Sequence, residues 1–300
     1  MKTIIITGGR GLLATELTKQ LLKSRNVYIV LISRHPERIT KKQNLRISSL
    51  SQLMTDKDLT NRNYDALVHT AFSRSYDGRL LLSSLNYLEE VIYISKQIKL
   101  KSFINISSQS VYGNLKENDK LYNEASQIAP NDAYGIAKSL SEVLVNSLFE
   151  NDSINYSNIR LASLLSHKEK SRFINKLVER AKNIEDLNVY GGKQEYSFID
   201  VRDAADGIMS MIERNDKVWE RIYNLGSGKV YSLYNLAEMV VEIAKNKYNK
   251  NIKINIIPSD NNCKIGMDTS LFKRDFSWLP KIDIKTSIIN LFDDETINCC

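Results

Sequence analysis

At 300 residues, 42% of them hydrophobic, the chain is long enough for one large α/β domain with a smaller lobe and a sizeable core. A formal net charge of +7 suits anionic ligands, yet no basic cluster is interleaved with aromatics and no nucleic-acid motif occurs, so a lysine-rich surface explains the charge better than a nucleic-acid interface. The three cysteines, Cys263, Cys299 and Cys300, have neither metal-ligand spacing nor a partner set, so no metal is expected and a reducing cytoplasm is the expected setting.

Met1-Lys2-Thr3 leads into a strand over 3–7, an apolar run too short for a secretory signal. Ile4-Ile5-Ile6 runs directly into Thr7-Gly8-Gly9-Arg10-Gly11-Leu12-Leu13-Ala14, after which Leu12, Leu13, Leu17, Leu21 and Leu22 form a helical stripe. Strand, glycine turn and helix in immediate succession suit a dinucleotide pyrophosphate. Gly8 permits the tight turn, Gly11 lets backbone approach the phosphates, and the helix start offers unpaired N–H groups and a partial positive charge. A glycine-rich turn without a ligand is the alternative.

The next strand, 27–32, ends at Ser33-Arg34, and no carboxylate follows until Glu37. An acidic residue here would accept the ribose hydroxyls of NAD, whereas an arginine accommodates the 2′-phosphate of NADP. Arg34 therefore favours NADP, with NAD the alternative cofactor if Arg34 is only a solvated charge. Strands are expected at 66–71 and 102–107. Between them Leu80 to Leu82, Leu85, Leu88, Val91, Ile92 and Ile98 are periodic and interrupted by charge, as in a helix packed on a sheet and unlike a membrane span.

Ile104-Asn105-Ile106-Ser107-Ser108 ends an apolar run where a turn begins, and there the Ser108 hydroxyl can reach a bound carbonyl or alcohol. Past Pro130, Asn131 or Asp132 can cap a helix whose apolar residues Ala133, Ile136, Ala137, Leu140, Leu144 and Leu148 recur at three and four. That helix carries Tyr134 and Lys138 one turn apart on one face, so the ammonium can stabilise the phenolate of a tyrosine whose ordinary pKa is about 10. Tyr112 and Lys116 share the spacing, but Gly113 and Asn114 between them read as a turn. Ser108, Tyr134 and Lys138 are thus the candidate catalytic residues of a hydride-transfer enzyme, with Tyr134 moving the proton. The pair alone also fits an exposed surface couple.

With a further strand at 155–161, strands and helices alternate, which means a doubly wound parallel sheet. We expect a dinucleotide-binding domain over 1–165, to which about 198–228 returns through a strand at 221–225, and a discontinuous substrate lobe over 166–300. Helices at 171–183, 202–213 and 232–246 and a strand at 187–190 suggest that lobe, and the cleft between the two should hold the substrate.

Taken in order, these residues resemble the extended short-chain dehydrogenase/reductases, particularly the NAD(P)-dependent nucleotide-sugar epimerases, dehydratases and reductases. Residues 7–14 look like the family's nucleotide turn, His69-Thr70-Ala71 like the motif that ends strand four, and Ser107 to Gly113 like its active-site strand. Tyr134-Gly135-Ile136-Ala137-Lys138 matches Tyr-x-x-x-Lys, and Phe198 to Ala205 and Tyr223 to Gly228 look like two signatures of the C-terminal half. The resemblance implies a Rossmann sheet with a smaller C-terminal α/β lobe. It implies cofactor contacts from Thr7, Gly8, Gly9, Arg10, Gly11, Leu12, Leu13, Ser33, Arg34, Thr70, Ala71, Tyr134 and Lys138, the last holding the nicotinamide ribose. Substrate contacts fall to Ser108, Gln109, Ser110, Tyr112, Ser163 and Tyr196, although packing beneath a turn explains Tyr112 equally well. A homodimer through helices 80–99 and 133–149 is also implied.

The departures narrow the reaction. Gln109-Ser110 stands where sugar dehydratases carry Asp-Glu, which removes the acid and base of dehydration. Tyr196-Ser197-Phe198 replaces Arg-Asp-Phe, and Ser163 stands where many sugar-nucleotide enzymes carry asparagine. The expected function is NADPH-dependent reduction of a keto group on a nucleotide-activated deoxysugar. An epimerase resembling UDP-glucose 4-epimerase, with tightly held NAD, is the alternative, and a dinucleotide-binding protein without catalysis is a third reading that the intact Ser108, Tyr134 and Lys138 oppose.

Overall fold

A computed structural model describes residues 1–24, 26–34, 43–113, 121–169, 172–260 and 263–293. Glu37, Lys116, Cys299 and Cys300, singled out above, lie outside the described residues. Seven strands build the main sheet: β1 (Lys2–Thr7), β2 (Val27–Ile32), β3 (Leu45–Ser48), β4 (Ala66–His69), β5 (Ser102–Ser108), β6 (Asn155–Leu161) and β7 (Ile222–Leu225). They pair throughout in parallel, in the order β3-β2-β1-β4-β5-β6-β7. The near-continuous apolar runs of β1 and β2 follow from this arrangement, because a parallel strand is covered on both faces. The order in which strands are added reverses between β1 and β4, so a crevice opens there, beyond the C-terminal strand ends.

Helices α1 (Leu12–Leu21), α2 (Gly78–Gln97) and α3 (Ala133–Phe149) cover the sheet, followed by α4 (Phe173–Lys182), α5 (Val201–Glu213), α6 (Leu233–Tyr248), α7 (Ser270–Phe276) and α8 (Ile284–Asp293). Alternation along β1 sends Ile4 and Ile6 into the core shared with α1 and α5, and Ile5 into the one shared with α2 and α3. Helix 202–213, within the segment expected to return to the first domain, packs as α5 against α1.

The smaller lobe gathers α4, α6 and α8 around its own core of Leu177, Val178, Leu236, Val240 and Ile288. Its strands are short. Leu187–Tyr190 pairs with Ile254–Ile257, and Glu195–Asp200 takes Ser163–Leu165, Val230–Ser232 and Lys264–Ile265 as partners. Only Leu187–Tyr190 was expected among these, since segments of two to six residues carry too little periodicity to stand out.

Where β7 joins the sheet, Asn224 is fully buried and fully used. Its amide donates to the carbonyls of Tyr122 and Asp268, its side-chain oxygen accepts from Tyr112 Oη at 2.7 Å, and its backbone N–H donates to Glu124. Among the described residues no helix is long and apolar enough to cross a membrane.

Candidate active site

The turn after β1 is shaped for close approach. Gly8 has φ +70°, and a Cβ there would stand 2.9 Å from Thr70 Oγ1 and from the Ala71 backbone, so the loops after β1 and β4 touch across the crevice. Thr70 Oγ1 donates to the Thr7 carbonyl at 2.7 Å, and Thr7 Oγ1 lies 3.0 Å from His69 Nδ1, fixing these strand ends to each other. His69 is core rather than catalyst: burial and the nearby Lys138 ammonium hold its imidazole down to about 3, so it stays neutral.

Helix α1 begins at Gly11 without a side-chain cap. Its first N–H groups are therefore available, and Gly11, Leu12, Leu13 and Thr70 line a cavity of about 310 Å³ that continues to Ser108, Tyr134 and Lys138. A dinucleotide fits these residues: the uncapped helix start and the glycine cradle would receive its pyrophosphate, and the cavity leads from them to the candidate catalytic trio. Ala71 flanks the crevice through its contact distance to Gly8, while Arg10 is exposed. Ser33 and Arg34 follow the end of β2, Ser33 buried and Arg34 exposed.

On the other wall Asp132 caps α3, accepting from Gly135 N at 2.6 Å, as one of the two caps proposed from sequence. Gly135 has no room for a side chain: a Cβ would meet the Ser110 carbonyl at 2.5 Å. Helix α3 therefore sits directly on the turn that follows β5, which brings Tyr134 beside Ser108. Ser108 caps that turn, its Oγ accepting from Ser110 N at 3.2 Å. Gln109 and Ser163 bind each other, Nε2 to Oγ at 2.9 Å.

Burial raises the Tyr134 phenol above its ordinary value, and Arg74, the Ser108 hydrogen bond and Arg172 oppose it. Lys138, expected to stabilise the Tyr134 phenolate, is turned toward other partners. Lys138 Nζ donates to the Ile106 carbonyl at 2.7 Å and lies 3.8 Å from the centre of the Phe72 ring, against 6.0 Å from that of Tyr134. Phe72, which sequence reasoning missed, meets the Tyr134 ring edge-on at 6.3 Å. No motif marks it, because it stands one residue beyond His69-Thr70-Ala71.

Burial pushes the Lys138 ammonium down to about 7, with Glu142 one turn away resisting. The folded value lies below the unfolded one, so the unfolded chain binds the extra proton between pH 7 and the ordinary lysine range. The penalty is complete below about pH 7 and is relieved as pH rises. Thermal unfolding of cofactor-free protein from pH 7 to 9 should therefore show the wild type gaining Tm relative to Lys138→Met, and parallel curves would refute the assignment.

Tyr112 does not join the site. It is fully buried, stacked on Tyr122 at 4.6 Å with its hydroxyl on Asn224, so the packing reading is the one observed. Tyr196 and Ser163 do face the cleft: with Phe198, Cys263 and Ile265 they line a second cavity of about 710 Å³, continuous with the first through Gln109, Ser110 and Asp132. Among the described residues no cluster of His, Cys, Asp and Glu could hold a metal.

The sequence matches the NAD dependent epimerase/dehydratase family over residues 4–226. Among similar curated proteins are the low-salt glycan biosynthesis protein Agl12 of Haloferax volcanii, 24% identical with 80% of this chain and 81% of that protein covered, and human dTDP-D-glucose 4,6-dehydratase, 21% identical with 81% and 74% covered. Among solved structures, UDP-glucuronic acid 4-epimerase from Bacillus cereus, in complex with UDP-glucuronic acid and NAD, superposes with a TM-score of 0.82 at 19% identity, covering 97% of this chain and 98% of that one. The fold is shared with that enzyme, and the family match extends from β1 through β7; the chain belongs to the NAD dependent epimerase/dehydratase family, enzymes of the extended short-chain dehydrogenase/reductase type.

Proposed function

We propose that the protein is an NADP(H)-dependent reductase of a keto group on a nucleotide-activated deoxysugar. The observation that carries the reading is the convergence of Ser108, Tyr134 and Lys138 on the cavity that the glycine turn opens into. A bound nicotinamide dinucleotide supplies the hydride. Thr7 to Leu13, Thr70 and Ala71 would hold its pyrophosphate end, and Tyr134 and Lys138 the nicotinamide end. Ser108 donates to the substrate oxygen, Tyr134 delivers the proton to that oxygen, and Lys138 would hold the nicotinamide ribose beside them. Gln109 and Ser110 carry no carboxyl group next to Ser108, which disfavours dehydration.

Arg34 supports NADP(H). It is exposed directly after β2, where its two-pronged guanidinium can pair with a 2′-phosphate, and aspartate would both delete that pairing and repel the phosphate. Arg34→Asp should reverse the preference from NADP(H) to NAD(H) in titration calorimetry. Equal affinities that the substitution leaves unaltered would show that the residue serves only solvent.

Reduction and epimerisation part in their consumption of cofactor. Purified enzyme is incubated with 4-keto-6-deoxy nucleotide sugars and with ordinary nucleotide sugars, following NADPH absorbance and product stereochemistry separately. Stoichiometric NADPH loss with the keto sugars is expected. Inversion of an ordinary sugar without added cofactor would establish the epimerase instead.

Leu82 and Tyr93 on α2 and Ile136, Leu140 and Val143 on α3 are exposed apolar residues, which supports a homodimer through these helices. Light scattering should give twice the monomer mass of 34.4 kDa, and a monomer at all concentrations would remove the proposal.

A further inference from the structure

One aromatic ring touches both members of the Tyr134–Lys138 pair. Phe72 presents a face to the Lys138 ammonium, with Nζ 3.8 Å from the ring centre, and meets the Tyr134 ring at 78° with 6.3 Å between centres. Tyr134 and Lys138 belong to α3, whereas Phe72 comes from the loop that follows β4. That loop is anchored around it: the Phe72 N–H donates to the Thr70 carbonyl at 3.0 Å, and the Ser73 N–H donates to Ser84 Oγ on α2 at 3.0 Å. The ring is therefore held in the wall of the cavity that runs from Gly11, Leu12 and Thr70 to Ser108. Lys138 is almost completely buried, and among the described residues its Nζ makes one hydrogen bond, to the Ile106 carbonyl at 2.7 Å. An ammonium has three N–H donors and a charge that burial penalises, so one carbonyl leaves it under-satisfied. The face of an aromatic ring carries partial negative charge, and Phe72 is the neighbour placed to supply it.

We propose that Phe72 is a positioning residue of the reaction centre, its ring face and the Ile106 carbonyl together forming the seat that fixes the Lys138 ammonium. The proposal rests on Lys138 belonging to the hydride-transfer site, and goes beyond that reading in naming what holds the ammonium there. A ring face favours only the charged amine, so the seat opposes the burial that pushes Lys138 down to about 7. Three other titratable groups lie near the amine. Glu142, on the same helix, supports the charge while ion-paired with Arg160. His69, at the end of β4, is held neutral, and the Tyr134 phenol, raised by burial, has its ring centre 6.0 Å from Nζ. Against that background, removing the Phe72 ring should lower the pH at which Lys138 loses its proton.

The test is an NMR titration of Lys138 in cofactor-free protein isotope-labelled at lysine Cε, its signal assigned by its absence from Lys138→Met, for wild type, Phe72→Leu and Phe72→Tyr. Folding is checked by circular dichroism, and Phe72→Met takes the place of Phe72→Leu should the latter fail to fold. The Phe72→Leu midpoint should fall by about half to one pH unit, the effect of losing one cation–π contact. Phe72→Tyr keeps a ring face and should stay near wild type. A shifted midpoint in a protein that reduces no keto sugar would leave the seat standing and remove the reductase reading. A Phe72→Leu midpoint equal to wild type would overturn the seat. So would a higher one, which is what loosened packing gives when water reaches the amine, and so would a fall in Phe72→Tyr as large as that in Phe72→Leu.

Discussion

Tyr134→Phe is expected to lower turnover by about 10²- to 10⁴-fold while leaving the fold and dinucleotide affinity close to wild type, the magnitude being that of a lost positioned acid/base. Only the phenolic oxygen is removed. The ring that packs edge-on against Phe72 remains, as does the helix start held by Asp132, so neither the cavity nor its donors change shape. Burial keeps the phenol protonated at rest, which suits delivery of a proton to a developing alkoxide, and Arg74, Ser108 and Arg172 bring its value back toward the working range. Lys138→Ala should behave differently, weakening dinucleotide binding as well as turnover, because the ammonium belongs to the proposed cofactor grip. Single-turnover kinetics with calorimetric cofactor titration separate the two variants. Wild-type rates in Tyr134→Phe would refute the assignment.

Breaking the ion pair beneath the site should cost about 3–5 kcal/mol, the range for removing one partner of a buried pair. Arg160 and Glu142 are almost completely buried, with Arg160 Nη2 donating to Glu142 Oε2 at 2.7 Å and Nε to Oε1 at 3.0 Å. Glu142 also accepts from Ser107 Oγ at 2.6 Å, so one carboxylate ties α3 to β5 and β6 directly behind Ser108 and Lys138. Burial alone would lower the Arg160 guanidinium, and the Glu142 carboxylate outweighs it, raising it overall. In Glu142→Ala that guanidinium is left buried beside the Tyr112 ring, with Nη1 already lacking a partner. Urea unfolding checks the loss. The pair Glu142→Leu with Arg160→Met should recover much of it, since it leaves no uncompensated charge. A loss under about 1 kcal/mol in Glu142→Ala would show that water reaches the site.

The parallel sheet was legible because its buried strands are apolar runs between turn residues, and because the glycine turn and Tyr-x-x-x-Lys are local patterns that need no tertiary contact to be seen. The strand at 45–48 escaped because only Ser48 of its four residues is buried, so its pattern is weak. The short lobe strands escaped for want of length. In the site, spacing along α3 placed Tyr134 and Lys138 on one face, but which way the Lys138 amine turns depends on the Ile106 carbonyl and the Phe72 ring, neither of which any spacing reveals. Arg74 and Arg172 lie far apart in sequence with no motif around either; only the folded cleft brings them together.

The four hydrogen-bonding partners of Asn224 carry a consequence for the order in which the molecule assembles. Tyr112, Tyr122 and Glu124 are made about a hundred residues before the side chain that satisfies them, and Asp268 follows it by 44. During synthesis β6 emerges as a bare sheet edge and stays so until residue 225 is available, the situation in which long-range parallel pairing is slow and prone to mispairing. Addition of β7 and completion of the wall behind the candidate active site are thus one late event, and a nascent chain stalled before β7 should present the longer β6 as its edge rather than a half-formed enzyme.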